Sequence, residues 1–256
     1  MNAHDQGAAS RILSPDDPEP VIVHNSGART PFLLVCDHAG RLIPRALVAL
    51  GLDRTELDRH IAWDIGAAGL ARRLAEMTGA ELYMQAYSRL VVDCNRSPDD
   101  PGIAPEVSDG ATVPGNQGLT SDALAARLAA IHAPYHAAIA AALDRRGAAR
   151  TVVVSIHSFT PEMNGVARPW HVGVLHSHDS PVSERMLALL RAEDGLVIGD
   201  NEPYAMDGID YTVPRHAGAR GLDYLELEVR QDLIADADGQ ERMAGVLAPL
   251  IATAVA

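Results

Sequence analysis

Lysine is absent from this chain, so its 21 basic residues are all arginine. Against 34 acids this leaves a formal charge of −13, with no stretch that gathers arginines into a basic stripe. Nucleic acid is excluded as a partner on that ground, because neutralising phosphates needs clustered cations. A small anionic substrate stays open, since a few arginines suffice for one locally positive pocket. The arginine-for-lysine bias, beside abundant alanine, aspartate and glycine, reflects genome composition and not function. Cysteine is equally scarce. Cys36 and Cys94, two in all, lie in apolar stretches and read as small buried thiols, without the spacing of a metal site. No apolar run reaches the length needed to span a membrane. The first twenty residues show neither the basic n-region nor the apolar h-region of a signal peptide. The expectations are a cytoplasmic protein and a flexible, proline-rich arm over residues 1–20.

What is present fits one folded unit. A chain of 256 residues with 47% hydrophobic and 21% charged residues can bury one sizeable core, giving a single α/β domain over 21–256. The centre of the pattern is Thr151–Asn164, where Val152, Val153, Val154 and Ile156 form a β-branched apolar run. Such a run marks a strand buried on both faces, as in a parallel sheet. It ends in His157-Ser158, and ligands of open α/β sheets sit at the carboxyl ends of strands.

Further strands are expected at 20–25, 31–37, 81–87, 89–95, 170–176, 196–198 and 224–230. Helices are expected at 61–78, with Asp64 in its early part, at 121–146, capped by Ser121 and kinked at Pro134, at 183–191 and at 238–255. Strands alternating with helices imply three α/β/α layers, and the close neighbours at 81–96 imply a mixed sheet. The stretch 97–119, rich in proline and glycine, is too long for a plain connection and reads as a functional loop or lid.

Polar residues collect at the expected strand ends: His38, Arg89, Asn95, Arg96, His157, His176 and Glu228. Two histidines, a carboxylate and several guanidinium groups are the parts of a catalytic zinc site, which takes three N/O ligands and leaves one position for water. No His-Glu-x-x-His motif is present.

Several segments, in order, carry a specific likeness. They are Cys36-Asp37-His38-Ala39-Gly40, Trp63-Asp64, Tyr87-Ser88-Arg89, Val92-Asp93-Cys94-Asn95-Arg96-Ser97-Pro98, Ser155-Ile156-His157-Ser158-Phe159, Arg215-His216 and Glu226-Leu227-Glu228. Over most of residues 31–234 the chain resembles the N-formylglutamate amidohydrolase family, and more distantly the zinc carboxypeptidases and aspartoacylases. The resemblance implies a phosphorylase/hydrolase-like, zinc carboxypeptidase-like fold. It implies Zn2+, or another divalent metal such as Mn2+ or Co2+, on His38, His157 and a carboxylate. The carboxypeptidase pattern draws that ligand from a Glu three residues after the first His, but Arg41 stands there. Asp64 is the choice and Asp37 the alternative. Glu228 resembles the general base, a role Glu226 could share. Arg89 would polarise the scissile carbonyl, Asn95 and Arg96 would clamp a substrate carboxylate, and Arg215 and His216 would touch substrate. His171, His176 and His178 have no counterpart and read as structural or exposed. The implied reaction is amide hydrolysis of an N-acyl amino acid, foremost N-formyl-L-glutamate to formate and L-glutamate. Alternatives are another N-acyl amino acid, or a catalytically silent binding protein on the same fold. A metal-free route through Ser155 or Ser158 is disfavoured, because no Gly-x-Ser-x-Gly elbow exists.

Overall fold

The structure, a computed structural model, describes residues 12–177, 180–206, 208 and 210–256. His178 therefore lies outside the described residues, as does most of the expected flexible arm. The part of that arm from residue 12 onward packs on the domain: Ile12 is buried, and the Pro18 carbonyl accepts from the Tyr87 hydroxyl at 2.6 Å.

The β-branched run becomes β6 (Val152–Phe159), all eight residues of which are buried. Around it stand β1 (Val21–His24), β2 (Phe32–Cys36), β3 (Glu81–Gln85), β9 (Val172–Leu175), β10 (Ile198–Asp200) and β11 (Asp223–Arg230). They form one seven-stranded sheet in the order β1-β3-β2-β6-β11-β9-β10. The four central strands, β3 to β11, run parallel. β1 joins β3 antiparallel, and β9 joins β11 antiparallel. Two short hairpins, β4 (Val107–Ser108) with β5 (Ala111–Thr112) and β7 (Glu162–Met163) with β8 (Val166–Ala167), lie outside the sheet.

Helices are α1 (Arg54–Leu57), α2 (Ala67–Thr78), α3 (Ser121–Arg127), α4 (Ala133–Arg146), α5 (Pro181–Arg191), α6 (Thr212–His216) and α7 (Ala237–Val255). Side chains of β2, β3, β6 and β11 alternate between two cores, because successive strand residues face opposite ways. Leu34, Val154 and Leu225 meet α2, α5 and α7 on one side. Leu33, Val35 and Val153 meet Ile131, Tyr135 and Ile139 on the other. The result is a three-layer α/β/α fold with a mixed sheet.

The structure corrects several expected boundaries. Residues 89–95 form turns and no strand; Leu90, Val91 and Val92 are buried because the turns tuck them into the second core. The mixed character therefore comes from β1 and β9, not from a hairpin at 81–96. The helix expected from Ile61 begins at Ala67, after Gly66 at φ +83°, where a Cβ would lie 2.1 Å from the Ile234 carbonyl oxygen. Only glycine fits that left-handed position, so Asp64 belongs to the preceding turn. Thr120, and not Ser121, caps α3 by accepting from the Ala123 amide. A π-turn at Leu128–His132 separates α3 from α4, and Pro134 sits in the first turn of α4, where its missing N–H costs no hydrogen bond.

Candidate active site

Because β2, β6 and β11 run parallel, their carboxyl ends open at one place, over a cavity of about 690 Å³. Parallel register sets Glu228 beside His157 and Glu226 beside Ser155, so period two directs both acids and the imidazole to the same face. His38 follows the end of β2. Gly40 lets that turn lie against the chain after β3, where a Cβ would meet the Ala86 carbonyl oxygen at 2.0 Å. The 60–64 turn is fastened across it, Asp64 N donating to the His38 carbonyl at 2.9 Å.

This folding brings His38, Asp64 and His157 together with ligand-capable atoms all within 4.8 Å of one another. All three are buried. His38 Nδ1 stands 3.5 Å from Asp64 Oδ1, and His157 Nδ1 stands 3.0 Å from Asp64 Oδ2. The opposite ring nitrogens are held by other groups. His38 Nε2 meets Asp93 Oδ1 at 2.7 Å. His157 Nε2 meets Ser155 Oγ at 3.0 Å and Asp37 Oδ2 at 3.4 Å. An ionised carboxylate only accepts, so Nε2 of His38 donates to Asp93 and Nδ1 is the nitrogen turned to Asp64, the one that would give up its proton to a cation. That nitrogen is buried with no hydrogen-bond partner. Imidazoles whose far nitrogen donates to a carboxylate are the usual arrangement of metal-ligating histidines, so the donor set fits a divalent cation. Asp64, rather than Asp37, completes the trio; Asp37 stands on the other side of the His157 ring and accepts from Thr212 Oγ1 at 2.7 Å.

The electrostatics agree. Burial alone would raise the Asp64 carboxyl, but the two imidazoles hold it well below the usual carboxylate range. Burial would likewise lower His157, yet its bonds to Asp37 and Asp64 keep it raised well above the ordinary histidine value. The cluster thus holds protons where a cation would sit. Burial pushes Glu228 up to about 8, and its Oε2 is buried without a partner. Burial also pushes Glu226 up, with the charge of Asp210 adding to it. Both acids are buried and do not form a solvated strand face.

Asp93 is the residue that sequence reasoning left without a role. It is 3% exposed, and besides His38 it meets Arg89 Nη2 at 2.9 Å and Arg96 Nε at 3.6 Å. Its signal was its place in the Asp-x-Asn-Arg segment, obscured by the reading of 89–95 as a strand. Arg89 and Arg96 line the cavity. Arg89 also stands 3.6 Å from Asp64, and Arg96 reaches Asp100 at 3.3 Å. Asn95 lines the cavity too, but its side chain is engaged. Oδ1 accepts from the Tyr211 and Thr212 amides at 3.0 and 2.9 Å, and Nδ2 donates to Asp210 at 3.1 Å.

Arg215 and His216 are placed elsewhere. α6 turns His216 toward α4, where Nε2 meets His136 Nδ1 at 2.9 Å. Burial lowers both imidazoles, to about 4 for His216 and about 3 for His136. Arg215 bonds the Tyr211 hydroxyl at 2.6 Å on the surface. Neither lines the cavity. Ser155 Oγ is occupied beneath His157, and Ser158 Oγ donates to the Ile65 carbonyl at 2.9 Å, so neither serine is poised as a nucleophile. Arg41 lies away from the ligands, paired with Asp58 and stacked on Trp63. His171 accepts from the Val197 amide, and His176 pairs with Asp200 at 2.8 Å. The 97–119 stretch does border the cavity, through Gly102, Pro105 and Val107–Asp109. It is pinned by Asn116, which donates to the Leu90 and Pro105 carbonyls, and by the buried Arg127, which donates to Asn116 Oδ1 at 2.6 Å.

The solved structure of a gene product from Agrobacterium tumefaciens is 39% identical, with a TM-score of 0.92 over 95% of this chain and 98% of that one. An N-formylglutamate amidohydrolase from Ralstonia eutropha shares the fold at 17% identity, with a TM-score of 0.66 over 93% and 97%. No curated protein sequence matches the chain. The N-formylglutamate amidohydrolase family signature matches residues 30–235, a span that holds every residue of the trio, the Asp93 hub and Glu228. The chain belongs to the N-formylglutamate amidohydrolase family, hydrolases of amide bonds.

Proposed function

We propose that this protein hydrolyses the amide of an N-acyl amino acid with a divalent metal, zinc by its donor set, held by His38, Asp64 and His157. Two imidazoles and one carboxylate with an open position are a known zinc hydrolase set. When bound, the metal supplies Lewis acidity toward the scissile carbonyl and acidifies water beside it. Glu228 takes the proton of the attacking water and returns it to the amine nitrogen as the C–N bond breaks. Its burial suits both halves of that task, because a carboxyl raised toward neutrality can accept and then donate near pH 7. Arg89 faces the position where oxyanion charge develops and stabilises it. Arg96 holds the α-carboxylate through its planar fork. Asp93 keeps both guanidinium groups and the His38 ring in place. The products are a carboxylic acid and a free amino acid.

The observation that carries this reading is the buried trio itself, His38 Nδ1 and His157 Nδ1 both turned to the Asp64 carboxylate with the far nitrogen of His38 held by Asp93. The test is amine release from N-formyl and N-acetyl amino acids, beginning with the compound in the family's name, N-formyl-L-glutamate. It is run on the zinc-loaded protein, after chelation and after zinc is restored. Turnover that disappears and returns with the metal is expected. No release from any compound by the loaded protein would remove the proposal and favour the silent binder.

A further inference from the structure

We propose that Asp37, held by Thr212, is a positioning residue of the metal site, fixing the His157 ring so that Nδ1 stays turned to Asp64, with α6 as the element that carries this support. This rests on the His38, Asp64 and His157 site of the reading above and adds to it the groups that hold its second imidazole. The two rings are served differently. The far nitrogen of His38 has Asp93 at 2.7 Å. His157 Nε2 has Ser155 Oγ at 3.0 Å, Asp37 Oδ2 at 3.4 Å and Glu226 Oε1 at 4.0 Å. A serine hydroxyl both donates and accepts, so it leaves the tautomer of the ring open. Glu226 stands beyond hydrogen-bond range. Asp37 is the partner that selects, because a carboxylate keeps the proton on Nε2 and leaves Nδ1 for a cation. Its Oδ2 is buried without a hydrogen bond, and among the described residues its ion-pair partner is His157.

Asp37 is itself fixed from a distant part of the chain. Its Oδ1 accepts from the Thr212 hydroxyl at 2.7 Å, 175 residues away in sequence. Thr212 is fully buried and opens α6. The Cys94 carbonyl lies 3.3 Å from the same hydroxyl, but an O–H donates once and the carboxylate is the nearer and stronger acceptor. The Thr212 amide donates to Asn95 Oδ1 at 2.9 Å, so backbone and side chain are both tied. His216 pins the other end of α6. The Cys94 carbonyl only accepts, so His136 Nε2 donates to it at 2.9 Å, and His136 Nδ1 accepts from His216 Nε2, also at 2.9 Å. The two rings stack with 5.2 Å between their centres. The Arg215-His216 segment carries part of the family likeness although neither residue lines the cavity; through Thr212, α6 connects that segment to the metal site.

The experiment measures zinc affinity by competition with a chromophoric chelator, and the visible absorption of the cobalt-loaded protein, for wild type, Asp37→Ala, Thr212→Val and Thr212→Ser. Asp37→Ala is expected to bind zinc about 10–100-fold more weakly and to alter the cobalt spectrum. Thr212→Val, which removes the hydroxyl and keeps the shape, should weaken zinc by about tenfold, while Thr212→Ser, which retains the hydroxyl, should stay near wild type. A merely structural loss would lower the melting temperature of the metal-free protein without separating valine from serine or changing the spectrum. If Asp37→Ala does not fold, the two Thr212 variants decide. Zinc affinities of the folded variants within about threefold of wild type, with unchanged cobalt spectra, would overturn the inference and leave the metal site standing, as would equal weakening by valine and serine. Wild-type protein that takes up no zinc would remove the metal reading and the inference with it.

Discussion

Asp93→Asn is the substitution from which the structure predicts most. One carboxylate serves His38 Nε2 at 2.7 Å, Arg89 at 2.9 Å, the Asn95 amide at 2.9 Å and Arg96 at 3.6 Å. Asparagine keeps the shape but replaces one oxygen by a donor. It must then face either a guanidinium or the His38 N–H with the wrong group. Breaking a buried pair by removing one partner costs about 3–5 kcal/mol. The arginines are 30% and 27% exposed, and water screens part of the loss, which leaves about 2–3 kcal/mol. For a domain of this size that lowers Tm by roughly 5–10 °C. Loosening the ring of a ligating histidine costs a further ~10–100-fold in metal affinity.

The assay pairs calorimetry of the metal-free protein with a zinc competition titration against a chromophoric chelator. Its pH dependence has a fixed sign. Burial would raise Asp93, but Arg89 and His38 hold it well below its ordinary value of 3.8. Its contribution is therefore present in full above about pH 4 and is lost as pH falls toward the folded-state value. The wild-type and variant Tm values should differ fully at pH 6–7 and converge under acid conditions. A Tm within about 1 °C of wild type at pH 7, with zinc affinity unchanged within about threefold, would refute the hub assignment.

Three further outcomes follow from the same geometry. Glu228→Gln should keep its zinc while kcat falls on the order of 10²–10⁴-fold; surviving turnover would move the base to Glu226 or elsewhere. Arg96→Lys should raise KM with little change in kcat, because an ammonium loses the planar fork, and an unchanged KM would place the α-carboxylate at another group. The stabilisation given by a fixed excess of zinc should grow from pH 5.5 to 8. In the metal-free protein burial lowers His38 and His157, but the neighbouring carboxylates raise both above 6.5. Those charged imidazoles stabilise the metal-free fold below that value and cease to do so as pH rises through the folded-state values, while zinc no longer has protons to displace. A zinc-induced Tm shift that is flat with pH would contradict this.

The parts of this fold legible in the sequence are those where local pattern and tertiary packing agree. Val152–Ile156 could only be a strand buried on both faces, and His157 at its end follows from the fold class. The alternating Tyr224–Arg230 segment named its strand, but alternation could not say that Glu226 and Glu228 are buried; that depends on which layer covers the face. Residues 89–95 misled because Leu90, Val91 and Val92 are buried by turns stapled to Asn116 and Arg127, a long-range contact with no local signature. Asp64, chosen over Asp37, stands 3.5 Å from His38 and 3.0 Å from His157, yet the helix expected around it begins later because Gly66 adopts a left-handed turn. The resemblance carried Arg215 and His216 into the site, whereas α6 spends His216 on His136. Asn95 reaches the cavity rim but spends its side chain on the Asp210 carboxylate and the Tyr211 and Thr212 amides. Asp93 has Arg89 and Arg96 close by in the sequence, but its tie to His38, 55 residues away, is supplied only by folding.

The most direct measurement is the zinc content of wild-type protein and of His157→Ala, purified alike and reloaded under the same conditions. One zinc per chain in the wild type and none in the variant, with amide hydrolysis lost alongside, is the predicted result. Equal zinc in both proteins would remove His157 from the ligand set and contradict the buried His38, Asp64 and His157 site on which the proposed chemistry stands.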